Sequence, residues 1–182
     1  MADLAQRTLP LAGVHGGSAS VRLTPAQPGE RISLRARAED VAALSQAFGF
    51  DLPTRPKTSA SANGRTALWL GPDEWLVIGE AGSGLMRAAQ ESGVLHSAVD
   101  VSHRNTAVLV EGPGAAAAIN AGCPQDLSLK SFPVGACTRT IFGKVEIVLL
   151  RAGEESFRVE VWRSFSDYAF ALLAEGARDA AL

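Results

Sequence analysis

The feature that most constrains the fold is a predicted β-hairpin over Thr66–Glu80. Two apolar runs, Leu68–Leu70 and Trp75–Ile78, flank the turn sequence G-P-D-E at residues 71–74. Proline at the second turn position fixes φ near the required value and aspartate tolerates the third position, so the segment fits a type I turn. Neither strand alternates between apolar and polar residues, which predicts that both faces of the hairpin are covered. The fold must therefore place a layer of structure on each side of this hairpin.

The length, composition and net charge fit a globular chain with no strong charge bias. Its 182 residues allow one large domain or two small intertwined ones, and the formal charge of −2 indicates neither a nucleic acid nor an anionic membrane as partner. Cys123 and Cys137 have no C-x-x-C spacing and the histidines are scattered, so we expect buried, unreactive thiols and no zinc site. The apolar runs are too short to span a bilayer and Met1–Pro10 has no signal-peptide pattern, which predicts a cytoplasmic protein.

Two regions differ in their predicted order. Residues 1–30 are rich in Ala, Gly, Pro and Ser without a sustained period, and we expect an arm that is flexible or ordered by a partner. Residues 31–182 are predicted to form one domain. Besides the hairpin, its predicted strands are Arg31–Arg37, Thr106–Glu111, Thr138–Phe142, Val145–Leu150 and Phe157–Arg163. Its predicted helices are Ala38–Phe48, Gly84–Ser92, Ala115–Ala121 and a last helix from Ser164, with Asp167 completing a capping box.

The order of these elements repeats along the chain. Residues 31–95 and 99–178 each read as strand, helix, loop, strand hairpin and closing helix, and the second half adds one strand. Asp51-Leu52 and Asp126-Leu127 end the corresponding helix–loop segments, about 75 residues apart. We interpret the chain as two intertwined β-α-β-β-α units that form mixed or antiparallel sheets flanked by helices. The predicted class is α+β.

Asp100, Ser102 and His103 contain the residue types of a catalytic triad. Neighbouring residues of an extended segment point to opposite sides, so Asp100 and Ser102 share a side and His103 faces away. No G-x-S-x-G turn surrounds the serine. We therefore expect these side chains to bond nearby backbone groups instead of forming a nucleophile.

Arginines line one side of the first predicted strand. Arg31, Arg35 and Arg37 alternate with apolar residues, and arginine suits bidentate contacts to carboxylate or phosphate. Three interpretations stay open: a solvated strand face, a salt-bridged protein interface, and a site for a small anion.

Acidic residues lie around the second predicted sheet. Glu146 and Glu160 alternate with apolar strand residues, which indicates an exposed or interface face, whereas Glu154 and Glu155 sit in a turn and are expected in solvent. An acid–base role for Glu146 or Glu160 is the alternative. The sequence has no Gly-rich dinucleotide loop, no complete phosphate loop and no metal-ligand pattern.

Four motifs together carry a family resemblance. They are L-W-L-G-P-D-E-W-L-V-I-G at residues 68–79, D-V-S-H-R at 100–104, V-E-G-P-G-A at 110–115, and V-E-V-W-R-S-F-S-D-Y at 159–168. In order and spacing they resemble the gamma subunit of heterotetrameric sarcosine oxidase, over roughly Arg31–Arg178. That gamma subunit is similar to the folate-binding domain of aminomethyltransferases, so the resemblance implies the same duplicated fold.

The resemblance implies a structural, non-catalytic subunit of an oxidoreductase complex. The complex oxidatively demethylates sarcosine to glycine, with hydrogen peroxide and either formaldehyde or 5,10-methylenetetrahydrofolate as further products. In that family FAD, covalently held FMN and NAD belong to the alpha and beta subunits, and tetrahydrofolate to alpha. The implied partners are the alpha, beta and delta subunits, with alpha in direct contact. We expect alpha to cover part of the hairpin and the arm, with Trp69 or Trp75 near the interface.

The aminomethyltransferase pattern is incomplete in this chain. Those enzymes carry a Gly-rich turn closely followed by an acidic pair, whereas F-G-K-V-E-I at residues 142–147 keeps one glycine and one acid, Glu146. No catalytic, cofactor-binding or metal-binding residue is therefore carried over. The alternatives are a stand-alone folate-binding aminomethyltransferase-like protein that uses Glu146 and the arginine face, and an interaction module for some other partner.

Overall fold

The computed structural model describes residues 9–181 as an α+β fold with two sheets. The strands are β1 Gly16–Gly17, β2 Arg22–Pro25, β3 Gly29–Ala36, β4 Ser59–Ala62, β5 Arg65–Gly71, β6 Glu74–Glu80, β7 His96–Asp100, β8 Asn105–Glu111, β9 Cys137–Phe142, β10 Val145–Gly153 and β11 Ser156–Trp162. The α-helices are α1 Val41–Phe48, α2 Leu85–Glu91, α3 Ala115–Asn120 and α4 Ser166–Asp179. Short 3₁₀ turns, Ala38–Asp40 and Arg163–Phe165, precede α1 and α4.

The predicted duplication is visible in the sheet topology. One sheet has the order β4-β5-β6-β3-β7 and the other β1-β2-β8-β11-β10-β9. The series β3, α1, β4, β5, β6, α2 thus matches β8, α3, β9, β10, β11, α4, element for element and in sheet position. Strand pairs throughout the described residues are antiparallel, which decides between the mixed and antiparallel alternatives.

The two units are intertwined through the strand that leads into each of them. β2 precedes β3 in the chain but pairs with β8 of the other sheet, and β7 precedes β8 but pairs with β3. Each sheet therefore takes one strand from the segment that leads into the opposite unit. Neither sheet can be completed by its own unit alone.

The sheets stack with their helices outside. α1 and α2 close a core on the outer face of the five-stranded sheet, and α3 and α4 close a larger one on the outer face of the six-stranded sheet. Between the inner faces lies a third, small apolar cluster of Leu68, Leu76 and Ile78 against Cys137, Val148 and Leu150. The sequence of layers is helices, sheet, sheet, helices.

The predicted hairpin is confirmed, and this chain covers both of its faces. β5 and β6 pair from Arg65 with Gly79 to Gly71 with Glu74. Trp75 and Val77 pack toward α1 and α2, whereas Leu76 packs between the sheets. Trp75 is 1% exposed and its Nε1 donates to the carbonyl of Pro53 at 2.7 Å, so this chain itself covers that side chain. Trp69, in turn, packs against the core beneath α1 and α2.

Part of the predicted arm belongs to the core of this chain. β2 pairs with β8, where Leu23 lies opposite Val110, and Val21 and Leu23 are 2% and 1% exposed. This segment has too few apolar residues to form a periodic pattern. It is nevertheless a strand, because the edge of β8 supplies hydrogen-bond partners for its backbone. Val21 and Leu23 are thus buried within this chain itself. Residues 1–8 of the predicted arm lie outside the described residues.

Three local predictions change. β4 lies in the predicted loop between the first helix and the hairpin, so the first unit has the extra strand as well as the second. The segment before β8 forms the regular strand β7. The capping box at Ser164 and Asp167 is wrong, because α4 begins at Ser166 and no side chain caps it. In place of a cap, the Ser166 hydroxyl donates to the carbonyl of Arg163 at 2.8 Å.

Candidate functional site

The connection from β7 to β8 holds Asp100, Ser102 and His103, and they do not form a triad. The Asp100 Oδ1 atom accepts from the Ser102 backbone N–H at 2.8 Å, and the Ser102 hydroxyl accepts from the Arg31 N–H at 2.8 Å. His103 is exposed, and no hydrogen bond joins it to Ser102 in the part of the chain that the structure describes. The bond from Asp100 to the nearby backbone confirms the prediction, and the serine in addition ties this connection to the start of β3.

Arg31 is buried, which overturns the interpretation of a solvated face at this position. Its Nε donates to Glu160 Oε2 at 2.7 Å, and the two side chains are 3% and 1% exposed. Arg158 donates from Nε to the other oxygen, Oε1, at 2.8 Å. A carboxylate with both oxygens bound by guanidinium groups is a charged structural partner and is not placed to act as a base. The ion pair joins β3 to β11, and hence one sheet to the other.

The other two arginines of the predicted face lie at the surface. Arg35 contacts Asp73 at 3.3 Å and Glu74 at 3.0 Å, and Arg37 lies 3.7 Å from Glu39. The three side chains therefore do not converge on one anion site. Of the three interpretations of this arginine face, the salt-bridged interface fits in part. At Arg31 that interface lies between the two sheets of this chain.

Glu74 forms a second link between the sheets. The Arg139 guanidinium binds it through both Nη atoms, from β9 across to the start of β6. This hydrogen bonding and the charges of Arg139 and Arg35 hold the pKa of the Glu74 carboxyl below its usual value, and Glu74 raises the pKa of Arg139 in return. Glu74 is therefore ionised in the folded protein at neutral pH.

Glu146 lies on β10 beside this network. Its nearest cation is Arg139 Nε at 3.9 Å, and its side chain is 54% exposed. A solvated carboxylate on a strand has no enclosed pocket in which to protonate or deprotonate a substrate. Glu154 and Glu155 are exposed in the turn between β10 and β11, as predicted.

Both cysteines are buried, as predicted from their isolation in the sequence. Cys137 Sγ donates to the carbonyl of Thr58 at 3.2 Å, and burial raises the pKa of the Cys137 thiol to about 11. A thiol with such a pKa is protonated at neutral pH and is not a nucleophile.

A cavity of about 550 Å³ lies among the described residues. It lies under residues 9–15, between the connection from β2 to β3 and the connection from β7 to β8, and apolar groups form most of its wall. Ser102, His103 and Thr106 lie at its edge. It sits where the two units exchange their leading strands, so the duplication itself creates this space.

Some arginine side chains stabilise the fold in ways that the sequence did not predict. Arg151 is 4% exposed, donates from Nη1 to the carbonyls of Leu127 and Phe132 at 2.8 Å each, and stacks 4.6 Å from the centroid of Phe157. Its position after the apolar run V-L-L in β10 was the only hint of burial. Arg139 was missed likewise, because its partner Glu74 lies on another strand. Arg158 was also missed, although its partner Glu160 lies two residues along the same strand, β11.

Residues 9–181 contain no group of three or more His, Cys, Asp or Glu side chains that could hold a metal ion. No helix in the same range is long and apolar enough to cross a membrane.

The two-sheet architecture defines the class of fold. The glycine cleavage system aminomethyltransferase T from Bartonella henselae has the same arrangement, with a TM-score of 0.65 at 16% identity over 88% of this chain and 50% of that one. The predicted aminomethyltransferase-like fold is therefore confirmed.

The family follows from closer similarities. The sequence model described as "Sarcosine oxidase, gamma subunit family" matches residues 35–179, so the chain belongs to that family. The sarcosine oxidase subunit gamma of an Arthrobacter species is 35% identical over 121 residues, 65% of this chain and 60% of that protein. The same subunit from Corynebacterium sp. strain U-96 is 32% identical over 133 residues, 70% of this chain and 63% of that protein. The chain thus aligns with less than two thirds of the length of these relatives.

A solved structure supports the same assignment over a longer range. It is the heterotetrameric sarcosine oxidase from Corynebacterium sp. U-96 in complex with pyrrole 2-carboxylate, in which the matching chain has a TM-score of 0.85 and 27% identity. The match covers 92% of this chain and 89% of that chain.

Proposed function

We propose that this chain is a structural, non-catalytic gamma subunit of a heterotetrameric sarcosine oxidase. The observation that carries the proposal is its similarity, over nearly its whole length, to one chain of such an oxidase. The reaction of the complex is the oxidative demethylation of sarcosine to glycine, with hydrogen peroxide and formaldehyde or 5,10-methylenetetrahydrofolate. The complex works in the cytoplasm.

The non-catalytic role is supported by what the ionisable side chains do. Glu160 is bound by two arginines, Ser102 bonds the backbone of Arg31, and Cys137 is protonated. Each candidate for acid, base or nucleophile is thus either committed to the fold or, like Glu146, in solvent. FAD, FMN, NAD and tetrahydrofolate accordingly belong to the alpha and beta subunits, and alpha contacts this chain directly.

We also propose that residues 31–182 act as one domain of two intertwined repeats, about residues 31–95 and 99–178, with residues 1–30 as an N-terminal extension. The exchange of β2 and β7 between the sheets supports a single cooperative unit.

Co-expression tests the function. The chain is produced with and without the alpha, beta and delta subunits, and the products are analysed by size exclusion and by a sarcosine-dependent peroxide assay. We expect the flavin-containing complex to assemble only when this chain is present, and Glu146→Gln to leave turnover unchanged. A complex that forms and turns over without this chain would contradict the proposed role.

The folate-binding alternative is not favoured. It requires Glu146 in a polar pocket and an arginine face that converges on a glutamyl tail, whereas Glu146 is solvated and Arg31 is occupied by Glu160. Calorimetric titration with tetrahydrofolate separates the two functions. Micromolar binding that is abolished by Glu146→Gln or Arg35→Ala would favour the alternative, and no heat of binding would end it.

A further inference from the structure

A pair of stacked aromatic rings stands exposed where β11 leads into α4. Trp162 ends β11 and Phe165 lies in the 3₁₀ turn Arg163–Phe165, with 6.1 Å between ring centroids and 23° between planes. The guanidinium carbon of Arg104 lies 5.0 Å from the centroid of the Trp162 ring. We call Trp162, Phe165 and Arg104 the aromatic cluster. Two of the four motifs that carry the family resemblance, residues 100–104 and 159–168, meet at this cluster.

The fold does not use the two rings as core. Val161, next to Trp162, is 1% exposed and packs under α4, whereas Trp162 and Phe165 are 40% and 41% exposed. A large aromatic side chain buries roughly 150–250 Å² when it is covered, so two exposed neighbours hold apolar area that a partner could bury. Trp, Phe and Arg are also the residue types enriched in the buried centres of protein interfaces.

The cluster is held rigidly before any partner binds. Trp162 pairs with Asn105 across β11 and β8, and the Arg163 backbone N–H donates to the carbonyl of Arg104 at 2.7 Å. Arg104 Nε donates to Asn105 Oδ1 at 3.2 Å, which fixes the guanidinium over the ring. Ordering side chains is a main cost of association, so a preformed cluster of this kind loses little on binding.

The charge of Arg104 defines the chemistry of the partner. Its contacts with other described residues use Nε and the face of the guanidinium, and none of those residues accepts from its Nη atoms. A cation already stacked on an aromatic ring, with donors facing solvent, is complementary to a carboxylate placed beside an apolar side chain. Glu146 and Glu160 line the small cleft, about 50 Å³, that borders the cluster. Glu160 is paired with Arg31 and Arg158, and Glu146 lies 3.9 Å from Arg139, so these carboxylates have cations of their own.

We propose that the aromatic cluster is the docking point for the neighbouring oxidase subunit, which covers Trp162 and Phe165 with an apolar side chain and pairs a carboxylate with Arg104. This inference rests on the proposed function, because it takes the partner to be a subunit of the same complex.

The test is assembly of the co-expressed complex with variants of the cluster. Trp162→Ala combined with Phe165→Ala removes the apolar area, and Arg104→Glu reverses the charge on an exposed side chain that the fold does not need. Leu129→Ala is the matched control, since Leu129 is 49% exposed in a loop away from the cluster. Each variant is compared with the wild type by circular dichroism and thermal unfolding before the dissociation constant for the remaining subunits is measured.

We expect the double variant to weaken binding roughly thirtyfold or more and Arg104→Glu by about tenfold, with no change for Leu129→Ala. Wild-type affinity in both folded cluster variants would overturn the docking proposal and leave the proposed function intact. Failure of the wild-type chain itself to assemble would overturn both. Loss of a dimer of this chain in the variants, with oxidase assembly unaffected, would show that a second copy is the occupant and would also overturn the proposal.

Discussion

Arg31 and Glu160 form a buried ion pair between the two sheets, with Nε 2.7 Å from Oε2 and side chains 3% and 1% exposed. Arg31 belongs to β3 of the first unit and Glu160 to β11 of the second. Because Arg158 and the carbonyl of Gly29 bind the remaining groups, the pair is hydrogen-bonded on both sides. The ion pair fixes how the two sheets are stacked, because the apolar cluster between their inner faces is small.

Replacing Arg31 should therefore be costly. Arg31→Met leaves the carboxylate of Glu160 buried with only the half-buried Arg158 as partner, and we expect the free energy of unfolding to fall by about 3–5 kcal/mol. Arg31→Met with Glu160→Gln should recover part of that loss, because the stranded charge is removed. Urea denaturation of the two single variants and the double variant measures the coupling.

The control for that measurement is an ion pair of the same length at the surface. Arg22 Nη2 lies 2.7 Å from Glu111 Oε2, but the side chains are 73% and 35% exposed. Arg22→Met should cost less than about 1 kcal/mol. Equal losses at Arg22 and Arg31 would show that burial is not what makes the inner pair strong.

Leu23 tests whether the N-terminal segment belongs to this chain's own core. It is 1% exposed opposite Val110, so Leu23→Ala should lower the free energy of unfolding of the isolated chain by about 2–5 kcal/mol. Leu9→Ala is the control, because Leu9 is 47% exposed. If the isolated chain tolerates both changes equally, β2 is docked only in the presence of a partner.

Glu30 should make stability depend on acid pH. Burial opposes its ionisation, but the backbone N–H groups of Leu85 and Gly84 and the Ser83 hydroxyl bind the carboxylate and lower the pKa of Glu30 below its ordinary value of 4.5. The folded state then binds this proton less readily than the unfolded chain, so the stabilisation is complete above about pH 4.5 and is lost as the pH falls through the folded pKa.

Glu30→Gln should accordingly cost about 1 kcal/mol at pH 7 and progressively less at lower pH. Denaturant titrations from pH 7 to pH 3 measure this difference. Glu39→Gln serves as the comparison. The Glu39 side chain is 68% exposed, and its ion pair with Arg37 is long, with 3.7 Å between Oε1 and Nη1. A Glu30→Gln effect that does not change with pH would contradict the role of the charge.

Cys137 should make stability depend on alkaline pH. Its folded pKa of about 11 lies above the ordinary value of 9.0, so the buried thiol stabilises the fold fully below pH 9 and loses this contribution as the pH rises toward 11. The difference in unfolding free energy between the wild type and Cys137→Ala should shrink by about 2–3 kcal/mol over that range. At pH 8 only about one thiol in a thousand is ionised, so native Cys137 should react slowly with a disulfide reagent. Rapid labelling of the native chain would argue against the burial.

Local order in this chain could be read from local patterns. The G-P-D-E turn predicts the β5–β6 hairpin because proline and the neighbouring apolar runs act within a few residues. The repeated order of elements predicts the duplication for the same reason, and the four motifs, in their order and spacing, together indicate the family. The absence of a triad at Ser102 was also predicted, although residues 102–104 form a turn and not the extended segment on which that prediction was based.

Pairings between distant strands could not be read in this way. Leu23 lies opposite Val110 and Arg31 binds Glu160, 129 residues away, because β2 and β7 exchange sheets. Any one arginine on a half-polar strand has many equivalent acidic residues as possible partners, and only the stacking of the sheets selects one. The sequence therefore determined the elements, their repetition and the family, whereas the tertiary structure decided which charges are buried, which segment completes each sheet and which aromatic side chains remain exposed.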